Sequence, residues 1–214
     1  MKPFTKICGI SDFHFLNEII ELEGINYLGF IFYEKSPRYV NQNFLNKLKN
    51  FNFRDKRPVC VYVNASKEYI KETSSYFEDP ILQFHGDETN EFCKSHKNEF
   101  WKAIRIKDHE SLKEITNYNS ASAILFESYK KGIYGGSGES FDWKIIENIN
   151  LTQKNVLSGG ISIKNVDNAI RTQPWCIDIN KKMLIGFLFT GGCVFAISLV
   201  YNSQACFLNN LETI

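Results

Sequence analysis

Cys8 stands at the end of a short apolar run, residues 4–8, and is followed by Gly9, which lets the backbone turn sharply. A thiol at that place can be a proton-transfer group or simply a small buried hydrophobe, and for a lone cysteine both readings stay open. The other run ends carry the argument further. Residues 123–126 lead into Glu127, and burial of a carboxyl group favours the neutral form that a general acid needs. Arg38 follows Ser36-Pro37 after a second run and offers a planar fork suited to a carboxylate or phosphate. His85 follows the run 81–84, Asp87 is a candidate cap for the next helix, and Asp178 lies in the run 175–179. Gly159 and Gly160 follow the run 155–158, where paired glycines allow close approach to a phosphate. A thiol, a carboxylic acid, an arginine and a glycine-lined anion site suit proton shuffling on a phosphorylated, anionic small molecule, with no metal or redox cofactor called for.

These residues work together only if the elements bring the run ends to one place. Apolar runs rich in Val, Ile, Tyr and Phe occupy residues 4–8, 27–32, 59–63, 81–84, 100–106, 123–126, 155–158 and 175–179. Helical spacing fills 13–22, 43–50, 67–77, 89–97, 111–117, 142–149 and 163–171. Several runs are apolar without alternation, such as Leu28-Gly29-Phe30-Ile31-Phe32, as expected when both faces of a parallel sheet are covered. Eight strands with intervening helices predict a closed (β/α)8 TIM barrel over residues 1–180, whose functional groups sit at the C-terminal strand ends. The first strand is not followed by G-x-G-x-x-G, which argues against a dinucleotide-binding open sheet.

Composition narrows the class. A hydrophobic fraction of 43% with 23% charged residues is that of an ordinary globular protein. A formal net charge of +1 gives no electrostatic case for a nucleic-acid partner. The cysteines at 8, 60, 93, 176, 193 and 206 are scattered and the N-terminus lacks a signal-peptide core, so free thiols and a cytoplasmic location are expected. His85, Cys93 and His96 fall close together, but with no fourth ligand nearby they do not read as a zinc site.

Several motifs resemble those of the phosphoribosylanthranilate isomerase family. They are Lys6-Ile7-Cys8-Gly9-Ile10, Ser36-Pro37-Arg38, Gln83-Phe84-His85-Gly86-Asp87-Glu88, Tyr134-Gly135-Gly136-Ser137-Gly138 with Phe141-Asp142-Trp143, and Leu157-Ser158-Gly159-Gly160-Ile161, in family order over residues 4–180. The resemblance implies a β/α barrel and an Amadori rearrangement in tryptophan biosynthesis, with a phosphorylated small molecule as partner and a monomer or homodimer as the assembly. It implies Cys8 as general base, the carboxyl after the sixth strand as general acid, Arg38 on the substrate carboxylate and Gly159 and Gly160 on the phosphate. His85 and Asp178 would line the same site. The family has Asp at the general-acid position where this chain has Glu127. The extra methylene is expected to misplace the proton and reduce the rate by about 10²-fold.

After Asn180 the family pattern stops. Residues 181–214 form an atypical hydrophobic segment in which Met183 through Tyr201 are almost wholly apolar, behind Lys181 and Lys182. That length could cross a bilayer, could be a divergent closing helix, or could mark a shifted reading frame or junction. The competing functional readings are another sugar-phosphate isomerase and a non-catalytic or membrane-tethered remnant of the barrel.

Overall fold

The computed structural model describes residues 2–130, 134, 140–147, 149, 151–162 and 164–180. Eight parallel strands close on themselves in sequence order: β1 (Phe4–Cys8), β2 (Tyr27–Ile31), β3 (Arg57–Tyr62), β4 (Ile81–Phe84), β5 (Phe100–Ile106), β6 (Ala123–Ser128), β7 (Lys154–Leu157) and β8 (Cys176–Asn180). The expected TIM barrel is therefore the fold. β8 pairs with β1 over five positions, Phe4 with Cys176 through Cys8 with Asn180, and this seam completes the ring.

Side chains alternate between two cores, as strand geometry requires. Outward-facing Ile7, Leu28, Phe30, Cys60, Leu82, Phe84, Ile124 and Leu157 pack beneath the helices. Inward-facing Ile31, Val59, Val61, Ile81, Ala103, Leu125, Val156 and Cys176 fill the barrel with Cys8. At the N-terminal end of the barrel Trp101 meets Tyr27 at 5.1 Å and Trp175 at 5.8 Å, both edge to face, so the lower end is a packed plug. Among the described residues the interior is open at the C-terminal end.

Most helices are shorter than their spacing predicts, although the 111–117 pattern lengthens to 109–118. Helix α1 (Phe13–Ile20) starts at Asp12, whose side chain accepts from the amides of His14 and Phe15, and α2 (Gln42–Leu48) starts at Asn41. Helices α3 (Lys67–Ser74) and α4 (Asn90–Lys94) are capped by Ser66 and Thr89. Thr89, not Asp87, is thus the cap after β4. The α4 spacing continued to residue 97, but Ser95 caps its C-terminus and the His96 ring packs against Phe84 and Phe92. His96 and buried Cys93 thus belong to the outer core, whereas His85 faces the barrel mouth. After β5 and β6 come 3₁₀ helices, His109–Tyr118 and Trp143–Ile146, and α5 (Val166–Arg171) precedes β8.

No helix among the described residues is long and apolar enough to cross a membrane. The apolar segment from Met183 through Tyr201, read above as a possible span or closing helix, lies outside the described residues.

Trp101 is fully buried and central to the plug. Trp101→Ala is expected to lower the free energy of unfolding by about 4 kcal/mol, read from the urea midpoint. A loss under 1 kcal/mol would show that the plug does not bear on stability.

Candidate active site

The strand ends open into a cavity of about 470 Å³ lined by Cys8, Arg38, His85, Glu127, Gly159, Gly160 and Asp178. Every residue singled out from the sequence as a site candidate therefore meets the others in one mouth. A larger groove of about 1050 Å³ lies at the opposite end, between α2, α3 and the 49–58 connection, and shares none of these residues.

Cys8 faces inward at the end of β1, opposite Gly29 in β2. A Cβ on Gly29 would stand 2.9 Å from the Cys8 sulfur, so only glycine leaves the thiol its place. Two residues earlier on the same inward face, Lys6 is fully buried and its Nζ donates to Asp178 Oδ2 at 2.8 Å. Burial alone would depress the lysine, but the Asp178 carboxylate and the Cys8 sulfur outweigh it and hold the ammonium above its ordinary value. Burial pushes the Cys8 thiol up; the Lys6 and Arg38 charges oppose this, while Asp178 reinforces it. Asp178 Oδ1 is buried without a hydrogen-bond partner and belongs to a residue lining the cavity, where it can accept from a ligand O–H or N–H.

On the other side of the mouth Glu127 lies within β6, one residue before its end, and is buried. Its Oε2 is 2.5 Å from His85 Nε2, and His85 Nδ1 is 2.9 Å from Gln83 Nε2. Gln83 sits inside β4 and His85 directly beyond it, so the three side chains form a line from the barrel interior to the mouth. The loop carrying His85 is fixed from outside the barrel. The His85 amide donates to Tyr62 O at 2.8 Å, and Glu88 accepts from the amides of Asn64 and Gly86 at 2.7 and 2.9 Å. Buried Lys102 donates to Gly86 O at 2.7 Å and lies 5.2 Å from the centre of the Tyr118 ring.

The rim is polar and aromatic. Arg38, half-buried, donates through its guanidinium to the Cys8 carbonyl at 3.4 Å. Asp87 accepts from Arg105 and from the Tyr134 hydroxyl, each at 2.6 Å, and the Arg105 guanidinium lies 4.5 Å from the centre of the Tyr134 ring. The Tyr134 hydroxyl, with the Arg105 and Asn64 contacts, holds the Asp87 carboxyl below its usual range. Gly159 and Gly160 have positive φ of 82° and 64°, a backbone that side-chain-bearing residues rarely adopt and that can present amide N–H groups to an anion.

Lys6, Gln83 and Gly29 were not singled out from the sequence. The period of two offered the signal: Lys6 precedes Cys8 by two, and Gln83 precedes His85 by two, so each pair shares a face.

Fold and mouth together define a β/α-barrel enzyme whose polar groups can exchange protons with a small anionic substrate. The model of the N-(5'-phosphoribosyl)anthranilate isomerase family matches residues 5–181. The N-(5'-phosphoribosyl)anthranilate isomerase of Marinomonas sp. (strain MWYL1) is 36% identical over 84% of this chain and 88% of its own. The solved phosphoribosyl anthranilate isomerase of Thermotoga maritima superposes with a TM-score of 0.73 at 28% identity, covering 83% of this chain and 87% of that one. A phosphoribosyl anthranilate isomerase structure in complex with reduced 1-(o-carboxyphenylamino)-1-deoxyribulose 5-phosphate gives a TM-score of 0.71 at 27% identity, over 84% and 87% of the two chains. The chain belongs to the phosphoribosylanthranilate isomerase family.

The raised thiol has a direct chemical consequence. Below its shifted value Cys8 is protonated, so its alkylation by iodoacetamide, followed by peptide mass mapping, is expected to be slow at neutral pH. The rate should still be climbing past the ordinary thiol value of 9.0. Lys6→Met removes the largest opposing charge and should move the curve further up in pH. A rate that levels off near pH 7 would contradict this.

Proposed function

We propose that this chain converts N-(5-phosphoribosyl)anthranilate to 1-(2-carboxyphenylamino)-1-deoxyribulose 5-phosphate, the Amadori rearrangement of tryptophan biosynthesis. The observation that carries the reading is a thiol from β1 and a carboxyl group from β6 lining the same mouth with an arginine and a glycine turn. Cys8 is read as the general base, Glu127 as the general acid, Arg38 as the partner of the anthranilate carboxylate, and the Gly159–Gly160 turn as the phosphate seat. Asp178 Oδ1 accepts a hydrogen bond from the sugar or the amine.

The steps balance without an outside reactant. Glu127 gives its proton to the furanose ring oxygen, the bond from that oxygen to C1′ breaks, and the anilino nitrogen's electron pair forms a C1′–N double bond. Cys8, in the minor fraction that is thiolate, takes the C2′ proton, whose bonding electrons form C1′=C2′ and neutralise the iminium nitrogen. The enolamine then becomes the ketoamine as the O2′ proton is lost and C1′ gains one. Between turnovers the thiol returns its proton and the carboxyl is reloaded.

Turnover of phosphoribosylanthranilate by the purified full chain, with rescue of a tryptophan auxotroph lacking this isomerase, tests the assignment. Cys8→Ala and Glu127→Gln are each expected to lower kcat by about 10³-fold with KM within about threefold. No turnover and no rescue by the parent chain would sink the reading. Either variant running near the parent rate would remove that residue from its role.

A further inference from the structure

The Glu127 carboxyl ends against the His85 ring, which in turn meets the Gln83 amide. We propose that His85 and Gln83 are positioning residues that orient the Glu127 carboxyl. This inference rests on the reading of Glu127 as the general acid.

The contact chain is directional. Gln83 Nε2 lies 2.9 Å from His85 Nδ1, so an amide N–H donating there makes Nδ1 an acceptor. A neutral imidazole with Nδ1 accepting carries its proton on Nε2. That Nε2–H then donates to Glu127 Oε2 across 2.5 Å, which fixes the rotation of the carboxyl group. The terminal torsion of a glutamate is soft, and this hydrogen bond restricts it.

The hold is itself anchored. Gln83, His85 and Glu127 are 1%, 8% and 4% exposed, so water competes little for these bonds. Gln83 lies within β4, paired to Val61 and Trp101 on either side, and cannot shift without the sheet. The loop beyond His85 is tied to β3, to Glu88 and to Lys102 as described above.

The test is a cycle of variants in the full chain, read by steady-state kinetics with phosphoribosylanthranilate. His85→Ala is expected to lower kcat by about 10²-fold with KM within about twofold, since orientation and not binding is lost. His85→Gln keeps an N–H donor toward the carboxyl and should recover to within about tenfold of the parent. In a Glu127→Asp background the shorter side chain no longer reaches His85, so the same His85→Ala change should cost less than about fivefold. Equal losses in the two backgrounds, or His85→Gln no better than His85→Ala, would overturn the positioning role while leaving Glu127 as the acid. Glu127→Gln retaining the parent kcat would overturn both. If His85→Ala does not fold, His85→Gln and Gln83→Leu carry the same comparison across the two backgrounds, and additivity again rejects the inference.

Discussion

The Lys6–Asp178 ion pair sits at the one place where this barrel has to close. Strands one to seven can each be added to a growing sheet, but β8 must meet β1 in a register that both ends of the chain accept. Lys6 and Asp178 are direct partners in that register, both inward and both buried. A slip of two residues would leave Lys6 opposite Cys176 or Asn180 and strand both charges in the interior. Breaking a buried pair costs about 3–5 kcal/mol, which is a large part of a domain's whole stability. Apolar neighbours such as Ile7 and Ile179 pack in more than one register; this pair does not. The same register sets Cys8 opposite Asn180 and thereby fixes the height of the thiol in the mouth.

The period of two then distributes the chemistry. Lys6 and Cys8 occupy successive inward positions on β1, as Leu125 and Glu127 do on β6, so each reactive group stands one layer above a residue that fills the barrel. On β1 that lower residue is charged, whereas on β6 it is apolar. The thiol consequently has a cation below it, and the carboxyl group stands above hydrocarbon and meets His85. The surroundings of the two groups differ because their lower neighbours differ, although both lie near strand ends of the same sheet.

Much of this was legible in the sequence. All eight strands were, because runs such as Leu28-Gly29-Phe30-Ile31-Phe32 must be covered on both faces, and that requirement leaves few architectures. The site candidates were legible because a barrel gathers its strand ends. The helix limits were not. Periodicity extends wherever apolar residues happen to recur, while a helix stops where a cap satisfies its backbone, as Ser95 does for α4. The 142–149 pattern likewise shortens to Trp143–Ile146, whereas the 111–117 pattern extends to His109–Tyr118 behind the Asp108 capping box. Lys6 and Gln83 stood within motifs but received no role, because a polar residue inside a strand does not reveal its partner. Only the partner brought by another strand, Asp178 in one case, or by the turn after the strand, His85 in the other, gives it meaning.

Asp178 also shows a conflict that the fold resolves by compromise. A buried lysine two positions below the thiol would stabilise the thiolate strongly if it stood alone, but an isolated buried ammonium would lose its proton instead. Asp178 keeps Lys6 charged, and in doing so places a negative charge near Cys8 that pushes the thiol up. The carboxylate that makes the cation possible therefore cancels part of its benefit. Burial still holds the thiol up, and Arg38 opposes this from the rim, half-exposed, where its charge needs no buried counterion. The Lys6–Asp178 pair thus acts both on the seam and on the buried thiol, so neither can be altered alone.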